Sequence, residues 1–327
     1  MHDPRDGAAD AGRAGNEELL LRVAWFYYKD ELTQEEIAQR LALSRASVGR
    51  MLDRARKIGM VTINLNVDHL AAFELSARLA RTFGLREALV VPDYGDGQTS
   101  TAQHNARIAL GGAQFLSTHL PTGSSLGVGW GDTASRVIRA INFAAIGAVH
   151  MVTLTGGVDG YLQTIMSSRT DAESDTTTAT VIPTPIVTST RSLATALRAE
   201  PAIQSVLEAA TQVDQAIVGV GTPAEDATIV RMGYLTAEET GALRDRGVVG
   251  DILGQFYNAN GKVVRLPIHQ RRIGIDLAEL KAVQRVVAVA GGIHKTEAIL
   301  GALRGGYIDV LVTDEQVATR LLEPGVA

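Results

Sequence analysis

The sequence contains no cysteine. That excludes disulfides, thiolate metal sites and cysteine nucleophiles together, and it fits a reducing compartment. Long apolar runs are missing as well. No stretch approaches the ~20 residues that span a bilayer, and the opening MHDPRDGAADAGRAGNEE lacks the apolar core of a signal peptide. The expectation is a cytoplasmic protein with no membrane partner. Nor is there a surplus of basic charge, since the net charge is −5. Global attraction to a nucleic acid is thereby excluded, and any such binding must come from a local patch.

With 327 residues, 46% of them hydrophobic, the chain is long enough for two domains and a sizeable interior. Residues 1–16 read as a polar, disordered tail. Helical apolar spacing starts behind it with Leu19, Leu20, Val23, Ala24 and Phe26 or Tyr27, and stops near Lys29 and Asp30. Thr33 and Glu36 form an S/T-x-x-E capping box, so a second helix runs to about Leu41 with Ile37, Ala38 and Leu41 inward. After the short turn Ala42-Leu43-Ser44, Ser44 caps a third helix from Arg45 to about Lys57. Gly59 stops it, and MVTINLNV alternates as a strand does.

Helix, capped helix, tight turn, capped helix and strand outline a winged helix-turn-helix over residues 17–67, whose third helix is shaped for a DNA major groove. Arg40, Arg45, Arg50, Arg54, Arg56 and Lys57 face Asp53 alone in this stretch of an acidic chain. Ser44, Arg45, Ser47 and Arg50 lie at the leading end of the third helix, where arginine can read guanine edges. Arg54, Arg56 and Lys57 suit phosphates, which add affinity without sequence information. Gly49 costs that helix up to ~1 kcal/mol relative to alanine; a close approach to DNA or chance would both account for it.

Residues 68–327 form the second domain. Leu70 to Phe83 is an amphipathic helix, followed by apolar strands at 87–91, 125–131, 148–154, 215–221, 285–292 and 309–314. Helices are expected between most of them, at about 100–119, 132–141, 190–210, 295–304 and 315–323. The fold class is therefore α/β, a doubly wound parallel sheet covered on both faces, with ligands bound beyond the carboxyl ends of its strands. The Thr-, Ser- and Asp-rich 167–185 fits no element and reads as a loop over the site or a surface insertion.

The strand-end loops carry the candidate chemistry. GVGWGDTASRV, 127–137, brings glycines to a helix start, a good anion seat, although Asp132 would repel a phosphate unless it meets a sugar hydroxyl. LTGGVDG, 154–160, and VGVGT, 218–222, end strands in small residues. In GVVGDILGQFYNANGKVV, 247–264, Asp251 and Asn258 or Asn260 could bind hydroxyls, while NANG is also an ordinary turn. AGGIHKTEAI, 290–299, places Lys295 at a helix start, a suitable phosphate partner, with His294 more apt for packing or for supporting a ligand-binding neighbour than for binding itself. Several glycine-ended strands, one well-placed lysine and only 5% aromatics point to a small polar anion such as a sugar phosphate. Metal-ligand spacing, a G-x-S-x-G elbow and a convincing histidine base are all lacking, so no cofactor, metal or catalytic residue is assigned.

These motifs, above all AGGIHKTEAILGALRGGYIDVLVTDEQVATRLL, resemble the SorC family of bacterial transcriptional regulators, from about residue 17 to 323. The resemblance implies an effector domain similar to sugar-phosphate isomerases, a sugar or polyol phosphate as effector, operator DNA as partner, and a homo-oligomer, dimer or tetramer. Carried over by position, it implies effector contacts from Gly131, Asp132, Thr133, Gly156, Gly157, Gly221, Asp251 and Lys295. Some members hold their sugar as a Schiff base; no lysine lies between Lys57 and Lys262 here, which counts against that chemistry. The expected function is a ligand-responsive regulator of carbohydrate catabolism and not an enzyme. The alternative is a sugar-phosphate isomerase-type enzyme with an accessory DNA-binding domain, and Asp132 and Asp251 would be its candidate bases.

Overall fold

A computed structural model describes residues 5–30, 32–61, 67–93, 100–158, 161, 177–225 and 227–326. The chain divides into two compact units, Met1–Asn66 and Val67–Ala327.

The first unit contains α1 (Arg5–Tyr28), α2 (Gln34–Leu41) and α3 (Arg45–Lys57). α1 begins at Arg5, inside the stretch read from the sequence as a tail. The capping box of α2 is present: the Thr33 hydroxyl accepts from the Glu36 amide, and the Glu36 carboxylate accepts from Thr33. Ala42 closes α2 in the left-handed region, φ 54°, an uncommon conformation for a residue with a Cβ. Val23, Ile37, Ala38, Val48 and Leu52 make the core of the unit. Met60 and Val61 donate back to the Ala55 carbonyl and pack on Leu20, Ala24 and Ala55. The rest of the expected wing, 62–66, lies outside the described residues.

The second unit opens with α4 (Val67–Phe83) and β1 (Glu87–Val91). Then come α5 (Thr101–His119), β2 (Ser125–Val128), α6 (Asp132–Ala140), α7 (Phe143–Ile146), β3 (His150–Thr153) and β4 (Thr178–Thr180). Next are α8 (Arg191–Ala199), α9 (Pro201–Thr211), β5 (Gln215–Val218), α10 (Thr228–Arg231) and α11 (Ala237–Asp245). The antiparallel hairpin β6 (Val248–Ile252) and β7 (Gln255–Asn258) follows. The chain finishes with α12 (Leu277–Leu280), β8 (Val286–Val289), α13 (Thr296–Arg304), β9 (Val310–Asp314) and α14 (Glu315–Leu321).

Seven strands form one parallel sheet in the order β1-β9-β8-β5-β2-β3-β4. Side chains of β5, β8 and β9 are buried on both faces, which explains their unbroken apolar runs. One face packs Leu79, Ala210, Ile299, Ala302, Val317 and Leu321 against Val152, Ala216, Val218, Ala288 and Leu311. The other packs Ile108, Phe115, Leu116, Val137 and Ile138 against Leu126, Met151, Ile217, Val287 and Val312. From β2 the chain winds outward through β3 and β4; it then returns to β5, beside β2, and winds the other way. The switch point therefore lies between the carboxyl ends of β2 and β5.

Several boundaries differ from the sequence reading. The strands expected to run to 131, 221 and 292 stop at Val128, Val218 and Val289, because the glycines leave the sheet as loops. The helix expected over 190–210 is two helices, broken at Glu200 because Pro201 cannot donate its amide and starts a new helix. Part of the unassigned 167–185 forms the edge strand β4, and 162–176 lies outside the described residues. Among the described residues, no helix is long and apolar enough to cross a membrane.

Candidate functional site

In the first unit, α3 turns Val48, Leu52 and Ala55 inward and leaves Arg45, Arg50, Arg54, Arg56 and Lys57 exposed. At roughly 100° per residue, Arg50 and Lys57 project opposite the buried face. The Ser44 hydroxyl caps the helix by accepting from the Ser47 amide at 3.1 Å. The Arg50 guanidinium donates to Ser47 Oγ at 3.0 Å, and Ser47 Oγ lies 2.9 Å from Ser44 Oγ. This chain draws Arg50 towards the leading end of the helix. Arg56 pairs with Asp53. A Cβ on Gly49 would make only ordinary contact, 3.6 Å from Gln34 Oε1, so nothing inside the unit requires glycine there.

In the second unit a cavity of about 360 Å³ opens at the switch point. The loop after β2 supplies Trp130, Gly131, Asp132 and Thr133, and the loop after β5 supplies Gly219, Val220, Gly221 and Thr222. Gly131 has φ 123°, a left-handed conformation that lets α6 start at once. Asp132 Oδ2 accepts from Arg136 Nε at 2.8 Å and from Asn105 Nδ2 at 3.2 Å. Burial pushes this carboxyl up, but the bond and charge of Arg136, with Asn105 and Arg231, outweigh it and hold the group below its ordinary range.

Across the cavity, Gly221 and Asp251 exchange backbone hydrogen bonds at 2.9 and 3.1 Å. A Cβ on Gly221 would lie 2.0 Å from Asp251 Oδ1, so glycine is what admits this carboxylate. Asp251 is only 7% exposed. Burial raises its pKa to about 6, against the Gly254 amide it accepts from at 3.1 Å and the charges of Lys295 and Arg272. The hairpin behind it turns at Leu253 and Gly254, φ 55° and 73°, and Leu253 is a branched residue forced left-handed in the cavity wall. Its carbonyl accepts from the buried Arg272 at 3.1 Å, which also donates to the Ile275 carbonyl at 2.7 Å. Burial lowers the Arg272 pKa to about 10.

Lys295 and His294 complete the lining from a one-turn 3-10 helix, Ile293–Lys295, ahead of α13. The preceding Gly292 amide donates to Asp314 Oδ2 at 2.6 Å, and a Cβ on Gly291 would sit 2.4 Å from that oxygen. A second glycine–aspartate fit thus fixes the lysine loop. His104 Nε2 lies 3.1 Å from the same Asp314 oxygen.

Six of the effector positions named from the sequence therefore line one cavity: Gly131, Asp132, Thr133, Gly221, Asp251 and Lys295. Gly156 and Gly157 do not. The Gly156 amide donates to Ile273 O and the Gly157 amide to Thr184 O. Gly156 is small because a Cβ would meet Thr184 and Pro185 at 2.5 Å. Asn258 Oδ1 accepts from the Asn260 and Lys262 amides and closes the turn that NANG also allowed. His294, read as packing or as support for a binding neighbour, is exposed in the cavity lining beside Lys295. Asn105, Arg136, Arg231, Leu253 and Arg272 were missed. Only Arg136 had a legible signal, four residues after Asp132 on one helix face.

A capped helix-turn-helix joined to a doubly wound sheet with a polar cavity at its switch point defines a DNA-binding regulator that carries its own small-molecule unit. Residues 68–323 match the family described as "Putative sugar-binding domain". The transcriptional regulator LsrR of Enterobacter sp. (strain 638) is 38% identical over 310 residues, 94% of this chain and 93% of that protein. LsrR of Escherichia coli (strain K12) is 36% identical over the same length, covering 95% of that protein. Among solved structures, the full-length sorbitol operon regulator SorC from Klebsiella pneumoniae aligns with TM-score 0.69 and 27% identity, over 94% of this chain and 98% of that one. A DeoR family transcriptional regulator from Listeria monocytogenes aligns with TM-score 0.71 and 31% identity, over 77% of this chain and 100% of that one. The chain belongs to the SorC family of sugar-binding transcriptional regulators.

Proposed function

We propose that this regulator answers a phosphorylated sugar or polyol, bound in the switch-point cavity, by changing its affinity for operator DNA. The single observation that carries the reading is the cavity itself, where Arg136, Arg231 and Lys295 converge with Asp132, Asp251 and Thr133. Cations suit a phosphate and carboxylates suit sugar hydroxyls. In the first unit, Arg50 reads a base edge with Ser44, Arg45 and Ser47 beside it, and Arg54 and Lys57 hold phosphates. A homo-oligomer, a tetramer in this proposal, pairs reading helices with operator half-sites in the cytoplasm. Coupling of typically 1–3 kcal/mol between the two ligands would change DNA affinity by roughly 5–150-fold.

One observation favours a second reading. Asp251, held near 6 inside the cavity, has the basicity of a general base, as an isomerase would need. Fluorescence anisotropy on the protein's own upstream DNA, at fixed salt and across sugar phosphates and free sugars, separates the two. Specific binding shifted by one compound supports the regulator. Indifference to that DNA, together with turnover of a sugar phosphate, supports the enzyme.

A further inference from the structure

Asp132 is at odds with an anion site. It is the first residue of α6 and lies in the cavity wall, where its own arginine would otherwise be open to a ligand. Instead its Oδ2 takes the Arg136 Nε–H at 2.8 Å and the Asn105 amide at 3.2 Å. Asp132 and Arg136 both line the cavity, and their side chains are 31% exposed, so the pair is half-buried in the wall. Arg231, from α10, contributes to the same field. Across the cavity, Lys295 stands within electrostatic reach of Asp251.

The charges decide between effector classes. His294 aside, the described residues of the lining include three cations, Arg136, Arg231 and Lys295, and two carboxylates, Asp132 and Asp251. Among them, a surplus of one positive charge suits a single phosphate. A second phosphate at the α6 end would meet the ionised Asp132, which already takes the Arg136 Nε–H and an Asn105 amide hydrogen.

We infer that Asp132 is a specificity-determining residue: it occupies the anion seat of Arg136 and Asn105 from within, keeps that end of the cavity for hydroxyl groups, and selects a monophosphorylated effector over a bisphosphorylated one. The single phosphate then lies at the Lys295 end. The inference rests on the proposed reading of the cavity as a sugar-phosphate site.

The test is calorimetric titration of the full chain with fructose, fructose 1-phosphate, fructose 6-phosphate and fructose 1,6-bisphosphate, and with ribose 5-phosphate and ribulose 1,5-bisphosphate. Wild type should prefer the monophosphates. Asp132→Asn keeps the shape and one acceptor oxygen but removes the charge. It should raise bisphosphate affinity relative to monophosphate affinity at least about tenfold. Adding Arg136→Ala should cancel the gain. Asp132→Ser serves if the asparagine variant fails to fold. Equal binding of mono- and bisphosphates by wild type, or no gain in either folded variant, overturns the role of Asp132. If wild type binds no compound of either phosphorylated class, whether or not it binds free sugars, the reading of the cavity as a sugar-phosphate site fails first.

Discussion

Replacing Asp251 with asparagine should change how the second unit's stability depends on pH. The carboxyl is 7% exposed, and burial raises its pKa from 3.8 to about 6 despite the Gly254 amide, Lys295 and Arg272. A group whose folded pKa exceeds its unfolded value stabilises fully below the unfolded value. That contribution disappears as pH rises through the folded one. A shift of about two units, at about 1.4 kcal/mol per unit, is worth about 3 kcal/mol. Asparagine retains an acceptor for the Gly254 amide and does not titrate. The unfolding free energy of the variant minus that of wild type should therefore rise by about 2 kcal/mol between pH 4.5 and 7.5, with most of the change below 6. The chain has two tryptophans, Trp25 and Trp130, and Trp130 lines the cavity. Urea unfolding in a Trp25→Phe background, followed by Trp130 fluorescence, reads the second unit alone. A difference that stays flat over this range would show that Asp251 titrates as an ordinary exposed carboxyl, and the argument from its burial would be wrong.

Other substitutions test other parts of the molecule. Arg50→Ala should cost about 1–3 kcal/mol of operator affinity and narrow the ratio of operator to random-DNA binding; an unchanged ratio reduces Arg50 to a phosphate contact. Lys295→Ala should keep DNA binding in anisotropy and lose the effector response, and a normal response removes Lys295 from the site. Gly221→Ala puts a methyl group 2.0 Å from Asp251 Oδ1. It should destabilise the second unit by about 1–3 kcal/mol and abolish effector binding, and a normal titration would refute the glycine–aspartate fit. Ala42→Gly relieves the left-handed φ of 54°. It should stabilise the first unit by about 0.5–1 kcal/mol in thermal unfolding, and a loss of stability would mean that the turn is not strained.

Local signals made much of this molecule legible. The caps at Thr33 and Ser44 depend on hydroxyls and carboxylates three residues apart, and the buried strands depend on unbroken apolar runs, so both can be read along the chain. The cavity was legible as a set of glycine-ended strands. Its finer pairing was not, because Asn105, Arg231 and Arg272 reach the site from elements far away in sequence. Glycines misled in one place. Gly156 and Gly157 carry the same small-residue pattern as Gly131 and Gly221, yet they serve packing against Thr184 and Ile186. Small size is common to a backbone that approaches a ligand and one that approaches another strand, and sequence alone does not separate them.

The pairing of β1 with β9 sets an order of events during synthesis. Among the described residues Glu87–Val91 pairs with Val310–Asp314, and α4 packs against α14. The edge of the sheet that forms first on the ribosome must wait for the last strand. The described clusters that hold the DNA-reading helices, by contrast, lie between Leu20 and Val61. Some 250 residues separate the two, so at about 5–20 residues per second the reading unit is available roughly 10–50 s before the sensor unit can close. For that interval the nascent protein has a reading head without a finished sensor.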